Sequence, residues 1–317
     1  MISHAVSRRG LLSAAGAALA LGPHAAYADA PPPPAPEKIQ GGADDVDRLT
    51  VASTIDGKGP FQFLVDTGAD HTVIADNVAQ ALGFPRGADV IVQGITSAIP
   101  AQTVLLRNLA VGSLQIDSLL TPVLPRANLE IDGYLGLDVI NRRKVVFDFQ
   151  NHALTIARAE SSLIPSRVRS DETLVQAWGS GGRLTAVNCH VDGVHAYAFI
   201  DSGADCSIGN SKLFAALQEN DGRDFASKEV VWLQGVTGST APGRLTMVQK
   251  LRLGRLNFTD SALIISDLPI FDVWDLADRP AVFIGMNYLK QTSAVTIDYG
   301  RKELRFRVAD LKVARNV

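Results

Sequence analysis

Two short acidic loops hold the residue types in this chain that can do chemistry. They are Asp66-Thr67-Gly68-Ala69-Asp70 and Asp201-Ser202-Gly203-Ala204-Asp205, and their leading acids lie 135 positions apart (201 − 66). Each loop ends an apolar run, Phe61 to Val65 in one copy and Ala198 to Ile200 in the other. A single acid-hydroxyl-glycine loop reads as turn chemistry. Two copies, each delivered by an apolar strand and each followed by Ala-Asp, need another explanation. A strand end fixes a carboxylate, and Gly68 and Gly203, having no Cβ, let another backbone or a substrate come close. Thr67 and Ser202 offer hydroxyls able to bond across an interface and lock both loops. If a pseudo-two-fold axis relates the loops, Asp66 and Asp201 face each other. Two carboxylates about 3 Å apart do not both ionise, so they share a proton. One is then a general base toward water and the other a general acid toward a carbonyl. Asp70 and Asp205 either cap the following turn or contact substrate.

The elements that must position these loops occur twice. Leu49 to Ile55, the Asp56-Gly57 turn and Phe61 to Val65 match Leu184 to Val191, Asp192-Gly193 and Tyr197 to Ile200. Further on, Val90-Ile-Val-Gln-Gly94 matches Val231-Trp-Leu-Gln-Gly235, and Tyr134-Leu135-Gly136 matches Phe283-Ile284-Gly285. Val145 to Phe149 matches Val295 to Tyr299. The offset grows from 135 to 149 (285 − 136), and the polar stretch Phe214 to Lys228 is the expected place for most of the extra residues. Short β-branched runs broken by Gly, Pro and Asp dominate. Helices are expected only at Asp76 to Leu82, at Ser211 to Leu217 and in the turns after the later glycines. This predicts an all-β protein of two similar lobes, made by duplication of a whole domain.

The loop Asp66 to Ile74, paired with the later apolar-apolar-Gly segment, resembles the active-site loop of retropepsins, the retroviral-type aspartic proteases. The likeness covers the chain twice, as in bacterial exported retropepsin-like proteases with both lobes in one chain. It implies two pseudo-symmetric β-barrel lobes with short helices. It makes Asp66 and Asp201 the catalytic pair, with Thr67, Gly68, Ser202 and Gly203 as the supporting loop. It puts Asp70, Asp205 and the flap residues Gly94, Ile95, Gly235 and Val236 against substrate. The implied reaction is hydrolysis of extended polypeptide by an activated water, with no cofactor and no metal. The sequence departs from the viral pattern after the later glycines, where Leu137 and Met286 stand in place of Arg, and no Tyr marks either flap tip. The alternative of another class is a non-catalytic periplasmic module that binds extended peptide in the same cleft.

The rest of the chain bounds the setting. Its 317 residues are 46% hydrophobic and 20% charged with net charge −3, which fits a globular protein and offers nothing to nucleic acid. Residues 1–28 read as an export signal. Arg8-Arg9 precedes a weak Ala-rich run and the small residues at Ala26-Tyr27-Ala28, which resembles a twin-arginine signal with Leu11 where many carry Phe. A general secretory signal is the alternative. The expected location is periplasmic or secreted in a bacterium, without stable membrane insertion after cleavage, and the mature chain would carry −5, having lost two arginines and no acid. Residues 29–45 read as a Pro-rich spacer, 46–160 as the first lobe, 161–175 as a connector and 176–310 as the second lobe. A monomer with internal lobe pairing is expected. Cys189 and Cys206 read as two small buried thiols, with pairing the alternative in an oxidising compartment. Trp178, Trp232 and Trp274 read as packing residues.

Overall fold

The computed structural model describes residues 37–44, 48–159, 167–179, 184–225 and 229–308. The export signal, the prolines of the spacer, and residues 160–166 of the first-lobe boundary and connector lie outside them.

The first lobe runs β1 (Glu37–Ala43), β2 (Leu49–Ile55), β3 (Lys58–Val65), β4 (Val73–Ala75), α1 (Asp76–Leu82), β5 (Asp89–Gln93) and β6 (Ala98–Val111). It continues with β7 (Leu114–Leu124), α2 (Arg126–Leu129), β8 (Gly133–Leu135), α3 (Leu137–Ile140), β9 (Arg143–Asp148) and β10 (Ala153–Arg158). The second lobe repeats the order as β11 (Glu172–Trp178), β12 (Thr185–Val191), β13 (Val194–Ile200), β14 (Ile208–Gly209), α4 (Ser211–Asp221), β15 (Val230–Gln234) and β16 (Thr240–Leu253). Then come β17 (Leu256–Ile265), α5 (Pro269–Val273), β18 (Ala281–Ile284), α6 (Met286–Leu289), β19 (Ala294–Asp298) and β20 (Glu303–Arg307). The all-β, two-lobed architecture expected from the repeat is the one observed.

Local chemistry sets the hairpins. Asp56-Gly57 and Asp192-Gly193 each take two successive positive φ angles, 49° and 71° in one lobe and 44° and 87° in the other. That is the backbone of a type I′ turn, whose twist matches the flanking strands, and a glycine second in the turn takes it without strain. The strands beyond bury one face. From Val104 on, the buried positions of β6 alternate in two runs, Val104 and Leu106 and then Leu109 and Val111, and within each run the period of two fixes which face is buried.

The lobes join through a six-stranded antiparallel sheet ordered β1, β10, β9, β19, β20, β11. Its symmetry is visible in the register. Val145 pairs with Ile297 and Phe147 with Val295, so the equivalent residues exchange places about an axis between β9 and β19. One apolar core runs through both lobes and includes Val145, Phe147, Val295, Ile297, Leu304 and Phe306.

Four expectations are corrected. Glu37–Ala43 belongs not to a spacer but to the fold. β1 pairs with β10 through Glu37 to Gln40 and with β2 through Gly41 to Ala43. Likewise β11 begins at Glu172, inside the expected connector, and pairs with β20. The extra residues of the second lobe are also not mostly at Phe214 to Lys228. Val123 and Ile265 hold equivalent places, 142 apart (265 − 123), and Leu135 and Ile284 are 149 apart (284 − 135). Seven of the fourteen extra residues (149 − 142 and 149 − 135) therefore lie around α5. Finally, Trp178 and Trp232 are 71% and 68% exposed, and of the three tryptophans only Trp274 packs, on Phe199 and Phe283.

Candidate active site

β3 and β13 end at Asp66 and Asp201. β8 runs parallel to β3, and β18 runs parallel to β13. The Asp66 N–H donates to the Leu135 carbonyl at 3.0 Å, and the Asp201 N–H to the Ile284 carbonyl at 3.0 Å. Each acid is thus pinned between two buried strands at the same level of its lobe.

The two loops meet. The Thr67 N–H donates to Ser202 Oγ at 3.1 Å and the Ser202 N–H to Thr67 Oγ1 at 3.1 Å. The Thr67 hydroxyl in turn donates to the Ile200 carbonyl at 2.7 Å, and the Ser202 hydroxyl to the Val65 carbonyl at 2.7 Å. These four bonds all cross the lobe boundary and are buried. Each such bond contributes about 1 kcal/mol net, and more is lost if one partner is left unpaired. The glycines are required by the approach itself. A Cβ on Gly68 would sit 2.8 Å from the Asp201 carboxyl, and one on Gly203 would sit 2.5 Å from that of Asp66.

Asp66 and Asp201 share a side-chain hydrogen bond, and each is 9% exposed. Within its own loop, Asp66 accepts from the Gly68 N–H at 2.8 Å, and Asp201 accepts from the Gly203 and Ala204 N–H groups at 3.0 and 3.1 Å. Burial holds both carboxyls above the usual carboxylate range, and the Asp66 charge pushes Asp201 further up. A pair in this state keeps one proton to a pH at which ordinary carboxyls have lost theirs.

Behind each loop stands a hydroxyl that the sequence reading passed over. Thr72 Oγ1 accepts from the Gly136 N–H at 3.1 Å and donates to Asp138 at 2.7 Å. Ser207 Oγ does the same with the Gly285 N–H at 2.9 Å and Asn287 Oδ1 at 2.7 Å. The signal was present, since Thr72 and Ser207 keep the 135 offset and Asp138 and Asn287 the 149 offset.

Arg48 was missed as well. It reaches from the first lobe to Asp205 at 3.1 Å and to the Gly203 carbonyl at 3.1 Å, while pairing with Asp44 on its own side. The cation absent after Gly285 is supplied to Asp205 from the other lobe. Its cue was the Arg48-Leu-Thr match to Arg183-Leu-Thr at the same 135 offset, Arg183 itself being outside the described residues. Arg48→Met should lower the free energy of unfolding in urea by about 1–2 kcal/mol, since it strips two carboxylates and a carbonyl of a largely buried partner. Asp205 is half exposed, which keeps the loss at the small end.

The predicted flap residues also come together. β5–β6 and β15–β16 are hairpins whose turns hold Gly94, Ile95, Gly235 and Val236. Thr96 Oγ1 lies 2.7 Å from Ser239 Oγ, and Ser97 Oγ lies 2.6 Å from Ser239 Oγ and 2.8 Å from Thr237 Oγ1. A Cβ on Gly94 would meet Thr237 at 2.8 Å, and one on Gly235 would meet Thr96 at 2.5 Å. Ile95 packs on an apolar cluster of the second lobe, and Val236 on the main core. Cys189 is buried and Cys206 half-buried, and both are free thiols.

Two lobes of one topology, each presenting an acid at a shared boundary, define the aspartic protease class. The aspartyl protease family model matches residues 51–139 and 187–288, and this chain belongs to that family. The match ends once in each lobe, just past the later glycine. The chain is also 28% identical over 134 residues to the protein DNA-DAMAGE INDUCIBLE 1 of Arabidopsis thaliana. That alignment takes in 39% of this chain and 32% of the relative, so the chain spans about a third of the relative's length.

Proposed function

We propose that this chain is an aspartic endopeptidase, in which Asp66 and Asp201 activate one water against a peptide carbonyl. The observation that carries the reading is the buried, hydrogen-bonded carboxyl pair held across the lobe boundary by Thr67 and Ser202. Burying two acids together is costly, and a cleft that only binds peptide gains nothing from it. The ionised member takes a proton from water as the protonated member donates to the substrate carbonyl. Extended polypeptide fits because hairpin edges supply backbone donors and acceptors to a strand-like guest. The experiment is incubation of the described lobes, as the full chain, with a library of unstructured peptides across a range of pH. Cleavage that disappears with the acid pair supports the reading. Binding without cleavage at any pH replaces it with a peptide-binding module.

The working pH follows from the pair. Raised carboxyls put the alkaline limb of the pH–rate profile above the usual carboxylate range. The residues after the loop glycines are Ala69 and Ala204, which have no side-chain donor. Serine there would donate to a catalytic carboxylate and favour its charged form, lowering the pKa. Ala69→Ser with Ala204→Ser should therefore move the alkaline limb to lower pH, by roughly half to one unit. Profiles of kcat/KM against pH for wild type and double variant decide it. A limb that stays put would assign the pKa to burial and the neighbouring charge.

A further inference from the structure

Each lobe anchors its acid in the same way, but the two anchors end in different groups. One peptide unit stands behind each acid. The Leu135 carbonyl accepts the Asp66 N–H at 3.0 Å, and the N–H of the same peptide, that of Gly136, donates to Thr72 Oγ1 at 3.1 Å. In the second lobe the Ile284 carbonyl accepts the Asp201 N–H at 3.0 Å, and the Gly285 N–H donates to Ser207 Oγ at 2.9 Å. Thr72 and Ser207 are fully buried.

Beyond the hydroxyls the lobes part. Asp138 accepts the Thr72 hydroxyl at 2.7 Å and also the Thr72 N–H, at 3.0 and 2.9 Å to its two oxygens. Two donors of one buried residue converge on a carboxylate that is itself 15% exposed, which suits its ionised form. Asn287 accepts the Ser207 hydroxyl at 2.7 Å, and its amide nitrogen turns away from the loop to the Ala262 carbonyl at 3.1 Å. The surrounding backbone is otherwise the same. The Leu137 and Met286 N–H groups donate to the Ala69 and Ala204 carbonyls at 2.8 and 2.9 Å, and the Asp138 and Asn287 N–H groups to the Asp70 and Asp205 carbonyls at 3.2 Å each. The fold therefore accepts an amide at this place, and the carboxylate of the first lobe is an addition to it.

Resting on the protease reading, we propose that Asp138 is a positioning residue for Asp66 and makes the two acids unequal, by setting a negative charge behind Asp66 where the neutral Asn287 stands behind Asp201. Hydrogen bonds in a chain polarise one another. A hydroxyl that donates to an anion is a better acceptor for the Gly136 N–H, and the carbonyl of that peptide is then a better acceptor for the Asp66 N–H. The charge also resists a second negative charge at Asp66, so it favours the protonated pair. The charged residues on the elements around Asp138 are Asp70 and His71 of the loop and Arg143, Lys144 and Asp148 of β9. Among the described residues only His71 comes within ion-pair distance, its Nδ1 3.6 Å from the carboxylate and its side chain exposed. Arg48 acts in the opposite sense, its charge favouring ionised Asp66.

The test is kcat/KM against pH for Asp138→Asn, Asn287→Asp and the double variant of the full chain. Removing the charge should move the profile to lower pH by about half a unit. Adding one behind Asp201 should move it up by a similar amount, and the double variant should lie near wild type. A His71→Gln background removes a cation able to mask the charge, so it should not shrink the shift. Should Asp138→Asn fail to fold, Asn287→Asp carries the test alone. A purely structural role would lower kcat/KM at every pH and leave the limbs in place, and that result overturns the proposal while keeping the protease reading. Failure of the wild type to cut any peptide overturns the protease reading instead. NMR titration of the isotope-labelled Asp66 and Asp201 carboxyls then decides the proposal, which falls if neither midpoint moves with the charge.

Discussion

Replacing either Asp66 or Asp201 by Asn is expected to lower kcat/KM on a cleavable peptide by on the order of 10³-fold or more, with the chain still folded. On the proposed mechanism the pair shares one proton, so each acid supplies a role that the other cannot fill alone. The losses should not add, and the double variant should be about as inactive as either single one. Stability gives an independent readout. Both carboxyls have folded pKa values raised above their unfolded values, chiefly by burial. The stability that such groups contribute is fully present below the unfolded carboxyl pKa and is lost as pH rises through the folded value. Asparagine has no charge to bury, so the single variants should lose less stability than wild type as pH rises from the ordinary carboxylate range to about 8, the raised Asp201 value. Equilibrium unfolding across that range measures this. A purified single variant that keeps most of the wild-type turnover would remove the pair from the mechanism.

The two acidic loops were legible because their signal is local. An apolar run, an acid, a hydroxyl residue and a glycine are neighbours in sequence, and the duplication repeats them at one offset. The same holds for the hairpins, where Asp-Gly sets the turn, and for α1, whose expected bounds Asp76 to Leu82 are those observed. What was hidden depends on pairing between distant segments. β1 is Glu-Lys-Ile-Gln-Gly-Gly-Ala, with no alternation strong enough to mark a strand. It is a strand because β10 and β2 offer edges to its two halves, and at Gly41 a Cβ would lie 2.7 Å from the Thr50 carbonyl. Arg48 was marked only by its match to Arg183, and its partner Asp205 was hidden because it is 157 positions away (205 − 48). α5 sits in an irregular segment whose apolar residues have no helical run long enough to show a period. Its place is set by the aromatic rings of Phe199 and Phe283 beneath it.

The hydroxyl contact between the flap tips yields the other large expected effect. Four side chains from two hairpins, Thr96, Ser97, Thr237 and Ser239, lie within hydrogen-bond range of one another. Exposed or half-buried hydroxyl bonds contribute little net stability, so the contact can open without unfolding either lobe. If extended polypeptide enters beneath the flaps, opening is obligatory in every turnover and a covalent tie there should stop it. Thr96→Cys with Ser239→Cys provides the tie, because Oγ atoms 2.7 Å apart keep the two Cβ atoms within about 5.5 Å, close enough for a small shift of the tips to bring them to disulfide distance. The oxidised double variant should cleave long polypeptide about 100-fold more slowly than wild type, and reductant should restore it. Each single cysteine variant should remain active in both states, which separates the tie from loss of a hydroxyl. Mass spectrometry verifies that the bond has formed. Wild-type turnover by the fully crosslinked enzyme would mean that substrate enters along the cleft without parting the flaps, and the hydroxyl cluster would then be a fixed roof over the acid pair.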